Sequence, residues 1–95
     1  MQFSRELRDQ VLAGEITLSF RLWSRAKVKA GGRYPVESQF IEVDTIELVP
    51  FSSVTPADVR QSGEPDRETM RRRVAHAGPV DDDTLLYRIE FHVIR

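Results

Sequence analysis

The clearest regularity in the chain lies towards its C-terminal end. Leu85, Tyr87, Ile89, Phe91 and Val93 recur at every second position, with Arg88, Glu90 and His92 between them. Strand side chains alternate between the two faces of a sheet, so this segment predicts a strand with one apolar face. A second alternating run, Ile16, Leu18, Phe20 and Leu22, predicts a strand over residues 15–23, whose other face carries Thr17, Ser19, Arg21 and Trp23. Before it, Phe3, Leu7 and Val11 repeat every fourth residue, which is one stripe of an amphipathic helix. Ser4 suits its N-cap and Gly14 the left-handed position after its last turn, so a helix is expected over 4–13.

Apolar alternation stops after Trp23. Residues 24–32 read as a loop with a tight turn at Gly31-Gly32. Arg33 to Val36 is a short strand that Pro35 confines to an edge or an end. Gln39 to Phe51 is rich in branched and aromatic residues but changes parity: Ile41 and Val43 share one, Ile46 and Leu48 the other. A β-bulge near Asp44-Thr45 reconciles them, and strands bent in this way occur where a sheet curls into a barrel. Thr55-Pro56-Ala57-Asp58 starts a short helix that stops near Ser62-Gly63. Pro65-Asp66-Arg67-Glu68 starts another, with Met70, Val74 and Ala77 as its apolar stripe and Gly78-Pro79 as its end. Helix, strands, helices and strand in that order predict an α+β domain with a curled, mostly antiparallel sheet.

Composition narrows the class. The length, 95 residues, bounds the chain to a single small domain over 1–95. There is no cysteine, which excludes disulfides and thiolate metal sites. No apolar run approaches the roughly 20 residues that span a bilayer, and the N-terminal residues lack a signal-peptide core. A soluble cytoplasmic protein without membrane contact is therefore expected. His76 and His92 are too far apart for a recognised metal motif, and no acidic pair completes one, so neither a metal nor another cofactor is expected.

The net charge of −1 excludes a uniformly basic nucleic-acid packager, but it hides a segregation. From Ile16 to Val36 there is no acidic residue, against five basic ones: Arg21, Arg25, Lys27, Lys29 and Arg33. Arg21 suits a bidentate clamp on a phosphate or carboxylate, or else a salt bridge to Glu42 or Glu90. Arg25, Lys27, Lys29 and Arg33 suit contacts with a nucleic-acid backbone, or else an ordinary solvated loop. Trp23 suits stacking on a base, or else closing one end of the sheet.

These segments together resemble the ASCH domain, a small relative of the PUA RNA-binding barrels. The resemblance rests on Val11-Leu12-Ala13-Gly14 leading into Thr17-Leu18-Ser19-Phe20-Arg21, then Ala30-Gly31-Gly32-Arg33-Tyr34. It continues through Phe40-Ile41-Glu42-Val43, Ile46-Glu47-Leu48-Val49-Pro50-Phe51 and the helical insert before the last strand. It implies a small PUA-like β-barrel with an N-terminal helix, helices packed beside the barrel, and a cleft that takes single-stranded RNA or a nucleotide-like anion. Some family members resemble hydrolases of acylated cytosine bases or nucleosides that use a lysine, a threonine and a glutamate. In the family pattern Gly-x-Lys-x-x-x-x-Arg, Gly14 and Arg21 match, Ser19 matches the threonine in kind, and Ile16 stands at the lysine position. The glutamate falls near Glu64. Isoleucine cannot accept a proton, so no catalytic residue is assigned. The expectation is a binding module whose basic cleft holds Ser19, Arg21, Trp23, Arg25, Lys27, Lys29 and Arg33. The alternative is an ASCH-type amidohydrolase or nuclease with Lys27 or Lys29 as a displaced base. A protein-interaction domain for an acidic peptide is a third possibility.

Overall fold

The computed structural model describes residues 2–75 and 78–94. Helix α1 (Arg5–Leu12) precedes strands β1 (Leu18–Arg21), β2 (Arg33–Val36) and β3 (Gln39–Pro50). A 3-10 turn (Phe51–Ser53) and helices α2 (Pro56–Gln61) and α3 (Arg67–Val74) then lead to β4 (Leu85–Ile94). The four strands form one sheet in the order β1-β4-β3-β2, with every pairing antiparallel. The expected α+β architecture is thus observed, with its N-terminal helix and its helical insert before the last strand. The bulge is also where the parity change requires it. The β3–β4 register shifts between Val43 and Thr45, which leaves Asp44 without a ladder partner and bends the long strand.

The first elements follow local rules, with one departure. The Ser4 carbonyl accepts from the Leu7 and Arg8 amides at 3.0 and 3.2 Å, although its hydroxyl makes no capping bond. Gly14 takes φ 81° and turns the chain out of α1. The expected strand over 15–23 is shorter in the structure. The Glu15 and Ile16 amides still donate to the Gln10 carbonyl, and the Thr17 amide donates to the Gln61 carbonyl. Those bonds hold residues 15–17 against the helix ends, so β1 begins only at Leu18.

That delay divides the apolar stripe. Ile16 packs with Phe3 and Val11 in a core beneath α1 that also takes Ile41, Val43, Ile89 and Phe91. Leu18 and Phe20 join Phe51, Val59, Met70 and Leu86 in a second core beneath α2 and α3. Each such side chain contributes about 1.5–3 kcal/mol of burial. The sheet is therefore covered on both faces. The clean stripe of β4 runs out at Leu85, which is 50% exposed, whereas Leu86, off that stripe, is fully buried by the helical insert.

The insert is held by its caps. Thr55 and Asp58 form a capping box on α2, with Pro56 in the first turn. The Asp66 carboxylate accepts from the Thr69 amide at 2.7 Å and caps α3. His76 and Ala77, singled out from the sequence, lie outside the described residues. Among the described residues no helix is long and apolar enough to cross a membrane.

Candidate binding cleft

Among the described residues strand β1 is an outer strand, with β4 on one edge only. Beside it lies a hollow of about 770 Å³ lined by every residue from Leu18 to Ser24. Consecutive strand residues point to opposite faces, so a hollow that touches all of them straddles the strand's open edge. One wall comes from the N-terminal arm and α1, through Gln2, Phe3, Ser4 and Leu7. The other comes from the α2–α3 turn and α3, through Ser62, Glu64, Met70, Arg73 and Val74.

Arg21 sits on the face that meets α1. Its Nε donates to Ser19 Oγ at 2.8 Å, and its guanidinium carbon stands 5.1 Å from the centre of the Phe3 ring. Burial pushes its pKa below the ordinary arginine value. A guanidinium nevertheless keeps its proton in a protein. Among the described residues Arg21 makes no ion pair. Glu42 is held by Arg33 Nε at 3.1 Å and Glu90 by Arg88, so neither carboxylate is the salt-bridge partner that the sequence allowed. A cation withdrawn from water without a counter-ion is unfavourable, and an incoming anion removes that penalty.

Trp23 is half-buried, its ring centre 6.0 Å from that of Tyr87. Lys27 Nζ lies 5.9 Å from the Trp23 ring centre and is in no ion pair among the described residues. Arg73 is compensated: its Nε is 2.8 Å from Glu64 Oε2 and its Nη2 is 3.3 Å from Glu6 Oε2, a bridge that ties α3 to α1. The Glu64 side chain is 5% exposed. Its burial lifts the carboxyl above its ordinary pKa against the opposing pull of Arg73. Among the described residues the hollow is lined by three cations and one carboxylate, and two of the cations, Arg21 and Lys27, are in no ion pair.

Of the residues singled out from the sequence, Ser19, Arg21, Trp23 and Lys27 come together in this hollow. Arg25, Lys29 and Arg33 are not among its lining residues. The loop is pinned by Val28, which is 7% exposed within the first core. Lys27 reaches the hollow on one side of that anchor. On the other side the Lys29 amide donates to the Tyr34 hydroxyl at 3.0 Å. Arg33 belongs to a separate hollow with Phe40 and Ile94. Ile16 is 2% exposed within the core and brings no proton acceptor to the cleft.

The structure adds Phe3, Glu64 and Arg73 to the site. Arg73 follows Met70 by three residues and precedes Val74 by one, so it borders the apolar stripe of α3 and reaches the cleft. Phe3 and Glu64 carry no sequence signal for the cleft beyond the position of Glu64 in the family resemblance.

An acidic pair does reach His92, contrary to the sequence reading. Glu42 faces it across the β3–β4 ladder and Asp44 reaches it from the bulge. His92 Nδ1 is 2.9 Å from Asp44 Oδ1 and its Nε2 is 3.9 Å from Glu42 Oε2, with the three candidate ligand atoms within 4.8 Å of one another. The group lies on the surface, Arg33 already engages Glu42, and a hydrogen bond joins His92 to Asp44, so these contacts account for it.

The fold has counterparts among solved structures. An ASCH domain from Lactobacillus crispatus matches at TM-score 0.72 and 20% identity, over 93% of this chain and 70% of that one. A DUF984 protein from Enterococcus faecalis matches at TM-score 0.70 and 17% identity, over 94% of this chain and 67% of that one. No protein-family model and no curated protein matches the sequence.

Proposed function

With the fold of an ASCH-type domain as its frame, we propose that the chain is a binding module for single-stranded RNA or a nucleotide-like anion. The ligand lies in the cleft along β1 and no chemistry is done on it. The observation that carries this reading is the Arg21 guanidinium, which lines the cleft with its Nε on Ser19 and without a carboxylate partner among the described residues. Its remaining nitrogens suit a phosphate in a two-point contact. Lys27 adds a second positive charge, and Trp23 offers an aromatic face to a base. A volume of about 770 Å³ falls within the range of small-ligand sites, about 300–1,000 Å³. The family resemblance implies the same class of ligand. The lack of cysteine fits a reducing, cytoplasmic setting.

The test is a titration with short single-stranded RNA at low and moderate salt, on the wild type and on Arg21→Ala. Binding at low salt that weakens with salt and with the substitution supports the reading. No binding at low salt, or binding untouched by the substitution, removes it.

A second reading has one observation in its favour: Ser19, Lys27 and the buried Glu64 line the same hollow. In that reading the chain is an ASCH-type hydrolase with Lys27 in place of the lysine that Ile16 has lost. Turnover of N4-acetylcytidine would then be measurable and would disappear in Lys27→Met. No turnover with generous enzyme ends it.

A further inference from the structure

The ladder geometry points to a main-chain component of the same site, an inference that rests on the binding reading above: we propose that the amide and carbonyl of Phe20 hydrogen-bond the polar edge of the ligand's base. The Phe91 amide donates to the Thr17 carbonyl at 3.0 Å. In an antiparallel ladder, residues that bond across the pair alternate with residues that do not. The register Leu18↔Glu90, Ser19↔Ile89, Phe20↔Arg88 and Arg21↔Tyr87 then gives Ser19 and Arg21 the bonds to β4. Leu18 and Phe20 turn their amides and carbonyls to the outer edge, which the cleft straddles.

Among the described residues, no group of the fold bonds the Phe20 main chain on that side. The residue is only 5% exposed. Buried main-chain donors and acceptors in folded proteins are almost always satisfied, by water where not by protein. Open strand edges are usually blunted, and this one runs along a hollow walled by the N-terminal arm and α1 on one side and by the α2–α3 turn and α3 on the other. The neighbouring charges select the occupant. Among the described residues Arg21 and Lys27 are in no ion pair and Trp23 presents a ring, which favours an anionic heterocycle over an added peptide strand.

An extended residue presents one donor and one acceptor side by side, and each nucleobase carries a donor and an acceptor next to each other on its pairing edge. Phe20 therefore registers that a base is present without choosing which. The full chain, labelled with ¹⁵N, is titrated with ribose 5-phosphate, CMP and AMP, and the Phe20 amide, the Arg21 Nε–H and the Trp23 indole are followed. Ribose 5-phosphate is expected to move Arg21 alone. CMP and AMP are expected to move the Phe20 amide downfield as well and to slow its hydrogen exchange about tenfold, the worth of one hydrogen bond. Saturable movement of Arg21 and Trp23 with Phe20 unchanged overturns the inference and leaves the binding reading standing. No saturable movement with any of the three probes overturns the inference, and the absence of RNA binding at low salt as well overturns both. An acidic tetrapeptide that moves Phe20 where the nucleotides do not replaces the base with a peptide strand and overturns the inference as well.

Discussion

Replacing Arg21 by methionine should weaken ligand binding while leaving the fold close to its original stability. The substitution removes a charged hydrogen bond to Ser19, worth about 1.5–3 kcal/mol, and the contact with the Phe3 ring, worth about 0.5–2 kcal/mol. It also removes a cation held away from water without a counter-ion among the described residues, which works in the opposite direction by a similar amount. Methionine keeps most of the packed length. The two sides nearly cancel, and urea unfolding followed by Trp23 fluorescence should change by no more than about 1 kcal/mol. Trp23 is the single tryptophan of the chain, so the signal reports from the cleft itself. Binding responds differently. A guanidinium–phosphate contact is a charge-assisted hydrogen bond of about 1.5–3 kcal/mol, so its loss weakens affinity about 10- to 100-fold. Anisotropy of a labelled short single-stranded RNA measures this. A variant that loses 3 kcal/mol or more, by this order-of-magnitude scale, yet binds as the wild type does would show that Arg21 serves the fold, and the reasoning from an uncompensated charge would be wrong.

Other outcomes follow from neighbouring features. Gly63 takes φ 82°, and an added Cβ would run into Ile16 Cδ1 and stand 3.3 Å from Leu7 Cδ2. Gly63→Ala should therefore destabilise by about 2–4 kcal/mol through left-handed strain plus overpacking; a loss under about 1 kcal/mol would mean that Ile16 swings aside without penalty. Glu64 has its carboxyl pKa raised by burial, so the folded state binds its proton more readily than the unfolded chain does. That contribution is complete below the unfolded value and is lost as the pH rises through the folded one. Urea unfolding at a series of pH values should show wild type losing stability relative to Glu64→Gln across that rise, and parallel curves would contradict the assignment. Arg33 pairs with Glu42 at 3.1 Å outside the cleft. Arg33→Ala should leave stability within about 1 kcal/mol and RNA affinity within about twofold, as for an exposed pair; a tenfold fall in affinity would extend the site to that end of the sheet.

The amino-acid order alone determined the features whose causes are local. Alternation marked β4, the fourfold spacing marked α1, and the parity change between Val43 and Ile46 located the bulge, because side-chain period follows directly from backbone geometry. Thr55-Pro56-Ala57-Asp58 marked a helix start because a capping box closes within one turn. The run of basic residues from Arg21 to Arg33 was legible, and so was the alternation that sets Arg21 on the same strand face as Ser19. Only the tertiary structure decided what depends on contacts between distant segments. Hydrogen bonds from the amides of residues 15–17 to the Gln10 and Gln61 carbonyls held back the start of β1, and Ile16 went into a different core from Leu18 and Phe20. The burial of Val28 sorted Lys27 from Lys29. The meeting of α1, β1 and α3 brought Phe3, Glu64 and Arg73 to one hollow. Periodicity tells which way a side chain points from its own element, but what it then meets is set by how separate elements pack, and no short-range pattern encodes that.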